Sequence, residues 1–265
     1  MKRIDLMGVP GVGKSTLYKK LIKCRNKNFK FLTLEEAKFL IARKHSTKAK
    51  KTMKDSLKDF LLITRVYKIT TPDLPDIVLR KKKREFLWDS KEKMDDFIDK
   101  SIKLIEESDR ISLLKLYDFS YFCESLENVL LLKKSTDEAT VLIDESLAKR
   151  PFLSHRDDKE YLDRISEYFY NMPIPDGIVF FRSSTSEVLA RIEERKKKQG
   201  KIIPGHKDLS KDELRKHVKA QIHVSEYGLT ILRKRNIPIL ILDASNPIKT
   251  NSEKVISFIK EMEGE

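Results

Sequence analysis

Gly8-Val9-Pro10-Gly11-Val12-Gly13-Lys14-Ser15 is the stretch on which the reading of this 265-residue chain turns. Its spacing is G-x-x-x-x-G-K-[ST]. An apolar run, Arg3 to Met7, precedes it, and the segment from Lys14 to about Cys24 follows it with Leu17, Leu21 and Ile22 at helical spacing. Strand, glycine turn and helix in that order build a cradle for phosphate, because glycines let main-chain N–H groups turn inward and the helix N-terminus adds partial positive charge. Gly8, Pro10, Gly11, Val12, Gly13 and Thr16 form the cradle. The Lys14 ammonium is expected against the terminal phosphates of ATP or a close relative, and the Ser15 hydroxyl against Mg²⁺. A chance glycine turn before an ordinary helix-start lysine does not account for all three features together.

Working outward, three further aliphatic runs read as buried strands: Thr140 to Asp144, Gly177 to Arg182 and Ile237 to Asp243, with a weaker one at Phe29 to Leu32. Ser184-Thr185-Ser186-Glu187 is a capping box that opens a helix bearing Val188, Leu189 and Ile192, and Val255, Ile256, Ile259 and Met262 mark a last helix. Strands alternating with helices imply a mostly parallel sheet covered on both faces. About a hundred residues, roughly 35–135, hold no good strand but repeated helical spacing, Phe97, Ile98, Ile102, Ile105 and then Leu113, Leu114, Tyr117, Tyr121, so a large helical insertion is expected there. Pro72 and Pro75 prevent one helix from running through it.

The strand Val141-Leu142-Ile143 ends in Asp144-Glu145. At the carboxyl end of a strand beside the loop, Asp144 is placed to hold Mg²⁺ and Glu145 to orient or deprotonate the attacking group; acidic capping of the next segment is the plainer alternative. Arg191 and Arg195, four apart on one helix face, can neutralise a transferring phosphoryl group or simply form a solvated basic helix end. Arg150 and Arg156, with His155, can grip an anionic acceptor or lie on an ordinary surface. The aromatic run Tyr117, Phe119, Tyr121, Phe122 is expected in the core rather than against a planar substrate.

Residues 1–60 hold 17 Lys/Arg against 5 Asp/Glu, whereas the other 205 hold 38 against 36, so 12 of the net +14 sit in the first quarter. That surplus can draw nucleic acid, but without interleaved aromatics a lysine-rich solvated surface is favoured. No run approaches the ~20 apolar residues of a membrane span. The chain has no secretory leader pattern, and Cys24 and Cys123 fit neither a metal site nor a disulfide framework, so a cytoplasmic protein is expected.

GVPGVGKST, VLIDES followed by Arg150, and PDGIVFFRSSTSEVLARIEERKKK together resemble the P-loop kinases of the nucleotide-kinase group, of which thymidylate kinase is the familiar member. The resemblance implies one P-loop NTPase three-layer α/β sandwich over residues 1–265, with a lid-like segment at about 191–210. It also implies an adenine-side loop at Ala244 to Pro247 and an ATP- and Mg²⁺-dependent transfer to a small-molecule acceptor. Two departures stand out: no Asp-Arg pair replaces Asp144-Glu145, and the segment after the first helix lacks the group's acidic-Arg motif. The competing expectation is an ATPase or regulatory P-loop NTPase acting on a protein or nucleic-acid partner. Leu-Ser-Gly-Gly-Gln and Asn-Lys-x-Asp signatures do not occur in the chain.

Overall fold

The computed structural model describes residues 1–25, 30–46, 57, 61, 72–144, 146–149, 156–200, 206 and 209–264. Glu145, Arg150, His155 and the lysine run 48–54 lie outside the described residues, as does most of the lid-like stretch after Gly200. The strands are β1 (Lys2–Met7), β2 (Leu32–Thr33), β3 (Thr140–Ile143), β4 (Gly177–Arg182) and β5 (Ile239–Asp243). Among the described residues they form one sheet in the order β2-β3-β1-β4-β5, every pair parallel. This is the P-loop NTPase three-layer architecture, with β1 at the centre. Its neighbours are reached on opposite sides, β3 in register Asp5 to Ile143 and β4 in register Leu6 to Val179.

The helices are α1 (Lys14–Cys24), α2 (Leu34–Ser46), α3 (Leu74–Asp89), α4 (Lys91–Glu106), α5 (Ser112–Lys134), α6 (Lys159–Asn171), α7 (Thr185–Gln199), α8 (Lys211–Lys234) and α9 (Ile248–Glu263). One sheet face, carrying Ile4, Leu6, Leu142, Val179 and Phe181, packs on Leu17 and Leu21 of α1 and on Val255 and Ile259 of α9. The other face carries Met7, Ile178 and Phe180 and is covered by α4, α5, α6 and α8 through Phe97, Phe122, Tyr168 and Val224. Around Val141 and Ile143 a third cluster gathers α2, α3 and α5. Strand side chains alternate between faces, and with helices on both sides the interior positions of β1, β3 and β4 are buried, all of them apolar except Arg3 and Asp5 of β1.

The helices between β2 and β3 occupy the span in which helical spacing was read. Pro75 sits in the first turn of α3, where its missing N–H costs nothing. Strand β2 is only two residues and lies at Leu32–Thr33, shifted from the expected Phe29 to Leu32. The capping box at Ser184 and Glu187 is formed on both sides.

The aromatic run departs from expectation. Phe122 is buried, but Tyr117, Phe119 and Tyr121 are exposed. Helix α5 turns Asp118, Phe122, Ser125 and Val129 inward, and Asp118 is held by both oxygens to Arg110 Nη1 at 2.6 and 2.7 Å. Asp118, paired with Arg110, takes a place on the inner face beside Phe122, and Tyr117 and Phe119 on either side of it turn outward.

One polar pair lies inside. Arg3 and Asp5 share a face of β1, Arg3 Nε standing 3.3 Å from Asp5 Oδ1, both side chains buried. Arg3 Nη2 donates to the Pro173 carbonyl at 2.5 Å, and the Arg3 amide to Asp176 at 2.6 Å. Burial pushes the Asp5 carboxyl up, and the Arg3 guanidinium opposes it.

Candidate active site

The glycine loop stands at the carboxyl end of β1. Gly8, Gly11 and Gly13 all have positive φ, 140°, 88° and 107°. At Gly8 a Cβ would meet the Phe181 carbonyl oxygen at 3.0 Å, so both conformation and space require glycine. Gly13 is the N-cap of α1, a role usually given to Ser, Thr or Asp; it supplies no side-chain cap, and the first turn holds no acidic residue. The positive end of α1 thus carries no carboxylate of its own first turn, the arrangement of a helix end that binds a free anion. Lys14 is buried, and its Nζ donates to the carbonyls of Gly8 at 2.6 Å and Val9 at 3.0 Å, which fixes the ammonium over the loop.

Beside the loop lies a cavity of about 620 Å³. Gly11, Thr16, Arg191, Arg195, Lys198 and Ala244 are among the residues that line it. Glu194 is the acidic residue of the lining, and Lys198 Nζ reaches it at 2.6 Å, so the balance is cationic. Arg191 fastens the parts together: Nη1 donates to the Val12 carbonyl, and Nη2 to the Ala244 carbonyl at 2.5 Å. Arg195, one turn on, is exposed at the cavity wall. Glu187 anchors the start of α7; the Ser184 amide and the Ser183 and Ser184 hydroxyls hold its carboxyl below the usual range.

The Ala244 turn is preset. The Ala244 amide donates to the Arg182 carbonyl at 2.9 Å, joining the end of β4. Asn251 Nδ2 donates to the Asp243 carbonyl at 2.8 Å. The Asp243 carboxylate accepts from the Ser245 hydroxyl at 2.6 Å and amide at 2.8 Å, which lowers its pKa.

On the β3 side a different chemistry collects. Asp144 follows directly on β3, beside the end of β1, and its Oδ1 is buried with no hydrogen-bond partner among the described residues. Asp144 and the exposed Ser15 hydroxyl in the first turn of α1 are oxygen ligands of the kind Mg²⁺ takes, while among the described residues no group of three or more His, Cys, Asp or Glu side chains is gathered to hold a metal. Tyr18 of α1 reports further acids: burial pushes its phenol well above the usual range, and the carboxylates of Asp144, Glu36 and Glu35 add to the shift. Sequence reading missed Glu35 and Glu36. Glu36 is engaged, accepting from Arg25 Nη1 at 2.5 Å and from the Thr33 amide at 2.9 Å. Glu35 is more open, paired at 3.1 Å with Lys38, whose Nζ also reaches Asp76 at 3.2 Å. Their signal was their place just after a short strand next to β3, legible only once β2 is recognised.

Arg156 is held at the start of α6 and the end of α4. Its Nε and Nη2 clasp the Asp158 carboxylate at 2.8 and 3.0 Å, Nη2 also reaches Glu160 at 3.3 Å, and Nη1 donates to the Glu107 carbonyl at 3.1 Å. The structure thus brings together the loop residues 8–16, Arg191, Arg195 and Ala244 on one side and Asp144 on the other, and ties Arg156 to the start of α6.

The strand order and the glycine loop define the class: a P-loop α/β fold with a parallel sheet. No protein-family model matches the chain, so the thymidylate-kinase group is not singled out, and no curated protein matches it. Among solved structures it is similar to the deoxyadenosine kinase of M. mycoides, determined with bound dATP, at 14% identity and a TM-score of 0.48, over 97% of this chain and 99% of that one. A likeness of that depth leaves the chemistry to be read from this chain's own residues. Among the described residues no helix is long and apolar enough to cross a membrane.

Proposed function

We propose that this protein is an ATP-dependent P-loop kinase that transfers the γ-phosphoryl group to a small-molecule acceptor, a nucleotide or another metabolite. It would work as one kinase-like domain over residues 1–265, with the helices of about 35–135 as an insertion and about 191–210 as a lid-like segment. The observation that carries this reading is the uncapped glycine loop with Lys14 held over it, open to a cationic cavity on one side and flanked by carboxylates on the other. A triphosphate needs the first two features, and an acceptor hydroxyl needs the third.

In this reading the base of ATP lies in the cavity against Ala244 and the loop, with its phosphates running back along Gly11 to Thr16. Lys14 meets the β and γ phosphates without having to be ordered on binding, because the Gly8 and Val9 carbonyls already hold it. Arg191 keeps the loop and the Ala244 turn at a fixed separation, and Arg195 reaches over the phosphates from the exposed side. Ser15 and Asp144 would hold Mg²⁺, which when bound neutralises charge on the β and γ oxygens. The acceptor oxygen forms the new P–O bond, the bond from the γ phosphorus to the bridging oxygen breaks, and the acceptor proton passes to a carboxylate. Glu145, next to Asp144, is the expected base; Glu35 is a second carboxylate at the same edge, and Glu145→Gln and Glu35→Gln distinguish the two.

The test is ATP-dependent phosphorylation of a broad metabolite panel by the purified protein, with Lys14→Ala as the blank. At least one phosphorylated product is expected with the native chain, and none with Lys14→Ala, which keeps its helical circular dichroism. Rapid ATP hydrolysis with no phosphorylated product would replace the kinase by an ATPase. Unchanged turnover by Lys14→Ala would refute the site.

A further inference from the structure

Residues 146–148, just after the Asp144-Glu145 pair, are held more firmly than a surface connection needs. Ser146, Leu147 and Ala148 are all buried, the last two in the cluster that also takes in Met7, Phe97 and Tyr168. The Lys149 amide closes a turn by donating to the Ser146 carbonyl at 3.2 Å. The Leu147 carbonyl accepts from Tyr168 Oη of α6 at 2.8 Å. The Tyr168 ring is itself fixed, 5.0 Å from Phe97 and edge-on to Phe169 at 5.5 Å, so its hydroxyl has one direction.

The second anchor is the buried pair of β1. Asp5 stands in register with Ile143, one residue before Asp144. Three residues on from Ile143, the chain has come back to Asp5: burial raises the pKa of that carboxyl, and the Arg3 guanidinium and then the Ser146 hydroxyl oppose the rise. Neither Asp5 oxygen is closely hydrogen-bonded elsewhere among the described residues, nor is Ser146 Oγ. Arg3, 3.3 Å from Asp5, donates to the Pro173 carbonyl just after α6 at 2.5 Å. The strand that carries the phosphate loop, the turn after β3 and helix α6 therefore meet in one buried polar cluster.

An ion pair is not the stable choice for such a place, since two packed apolar side chains would serve the sheet as well or better. Polar groups are retained against that cost where a function needs fixed geometry. What this cluster fixes is the separation between Gly8, three residues after Asp5, and Asp144, two residues before Ser146.

We infer that Asp5 and Tyr168 are positioning residues, which clamp the turn at Ser146 and Leu147 and so hold the Asp144 carboxylate at a set distance from the phosphate loop. The inference rests on the role given above to Asp144. Both side chains are buried, so neither touches nucleotide. Groups that orient a metal-binding carboxylate from behind are worth about 10–100-fold in metal affinity or activity. The clamp thus bears on the Mg²⁺ dependence of nucleotide binding, and the loop's own hold on the phosphates is independent of it.

Calorimetric titration of the full chain with ATP, in EDTA and then in excess Mg²⁺, separates the two. The native chain should bind ATP more tightly with Mg²⁺, and Asp144→Ala should lose that gain. Two clamp variants are informative: Arg3→Met with Asp5→Leu, which exchanges both charges together, and Tyr168→Phe, which keeps the ring. In EDTA both should bind ATP as the native chain does, and with Mg²⁺ both should fall about tenfold or more behind it. Arg3→Met with Asp5→Asn returns an oxygen to the Ser146 hydroxyl and should recover the gain. Clamp variants that melt lower yet keep the Mg²⁺ gain would show a purely structural role and overturn the inference, with the reading of the site left intact. A native chain without the gain, or no recovery by Asp5→Asn, would overturn it as well. A native chain that binds no ATP in either buffer would instead refute the phosphate loop on which both rest.

Discussion

Replacing Arg191 by Met removes the guanidinium that joins three parts of the site while keeping an unbranched stem of similar length. Two hydrogen bonds are lost, to the Val12 carbonyl and, at 2.5 Å, to the Ala244 carbonyl. Hydrogen bonds from a charged donor are worth about 1.5–3 kcal/mol each. Both carbonyls border a cavity open to water, which re-solvates them in part, so a net loss of about 2 kcal/mol is expected in place of the full sum. For a chain of this size that lowers the melting temperature by about 4–8 °C. Because the bonds set the spacing between the loop and the base-side turn, ATP affinity should fall about tenfold, a further ~1.4 kcal/mol on the binding side. Arg195→Met is the internal control: on the same helix but exposed, it should change stability by less than about 0.5 kcal/mol. Thermal unfolding and calorimetric ATP titration of the two variants decide the matter. Equal melting temperatures for Arg191→Met and the native chain, or a larger loss for Arg195→Met, would refute the clasp.

Phe122→Ala empties a fully packed site between Phe97 and the sheet and should cost about 3–5 kcal/mol in urea unfolding. At the buried pair, Asp5→Leu alone strands the Arg3 guanidinium and should cost about 3–5 kcal/mol, whereas Arg3→Met with Asp5→Leu together should come back to within about 1–2 kcal/mol of the native chain or exceed it. Asp158, N-cap of α6, accepts from Arg156 and the Tyr161 amide, which bring its carboxyl down to about 2. Its contribution is therefore present above the ordinary carboxylate value near ~4 and lost as pH falls through about 2. Asp158→Ala should be about 1 kcal/mol less stable at pH 7, with the difference closing between pH 4 and pH 2.

What could be read from the sequence was what is local in it. The loop at residues 8–15 needs consecutive residues with fixed conformational demands, and the capping box at Ser184 and Glu187 needs two residues three apart; both are written in the chain itself. The aromatic run of α5 misled because the first half of that helix is apolar on most sides, so spacing does not say which face is inner; the buried Asp118, bonded to Arg110, decides it. Arg191 could be named but not assigned, because its partners lie 179 and 53 residues away and one of them belongs to a turn after β5. Glu35 was overlooked because β2 has two residues, too few to give a pattern.

The central place of β1 has a consequence for how the molecule comes into being. Residues 2–7 leave the ribosome well before their pairing strands, which arrive only with residues 140–143 and 177–182. At about 5–20 residues per second, this strand waits roughly 7–27 seconds for its first neighbour. The helices made in the meantime close over short distances and can form early, whereas the phosphate loop takes its shape only when Phe181 arrives to back Gly8. The sheet therefore cannot assemble around its central strand until two thirds of the chain has been made.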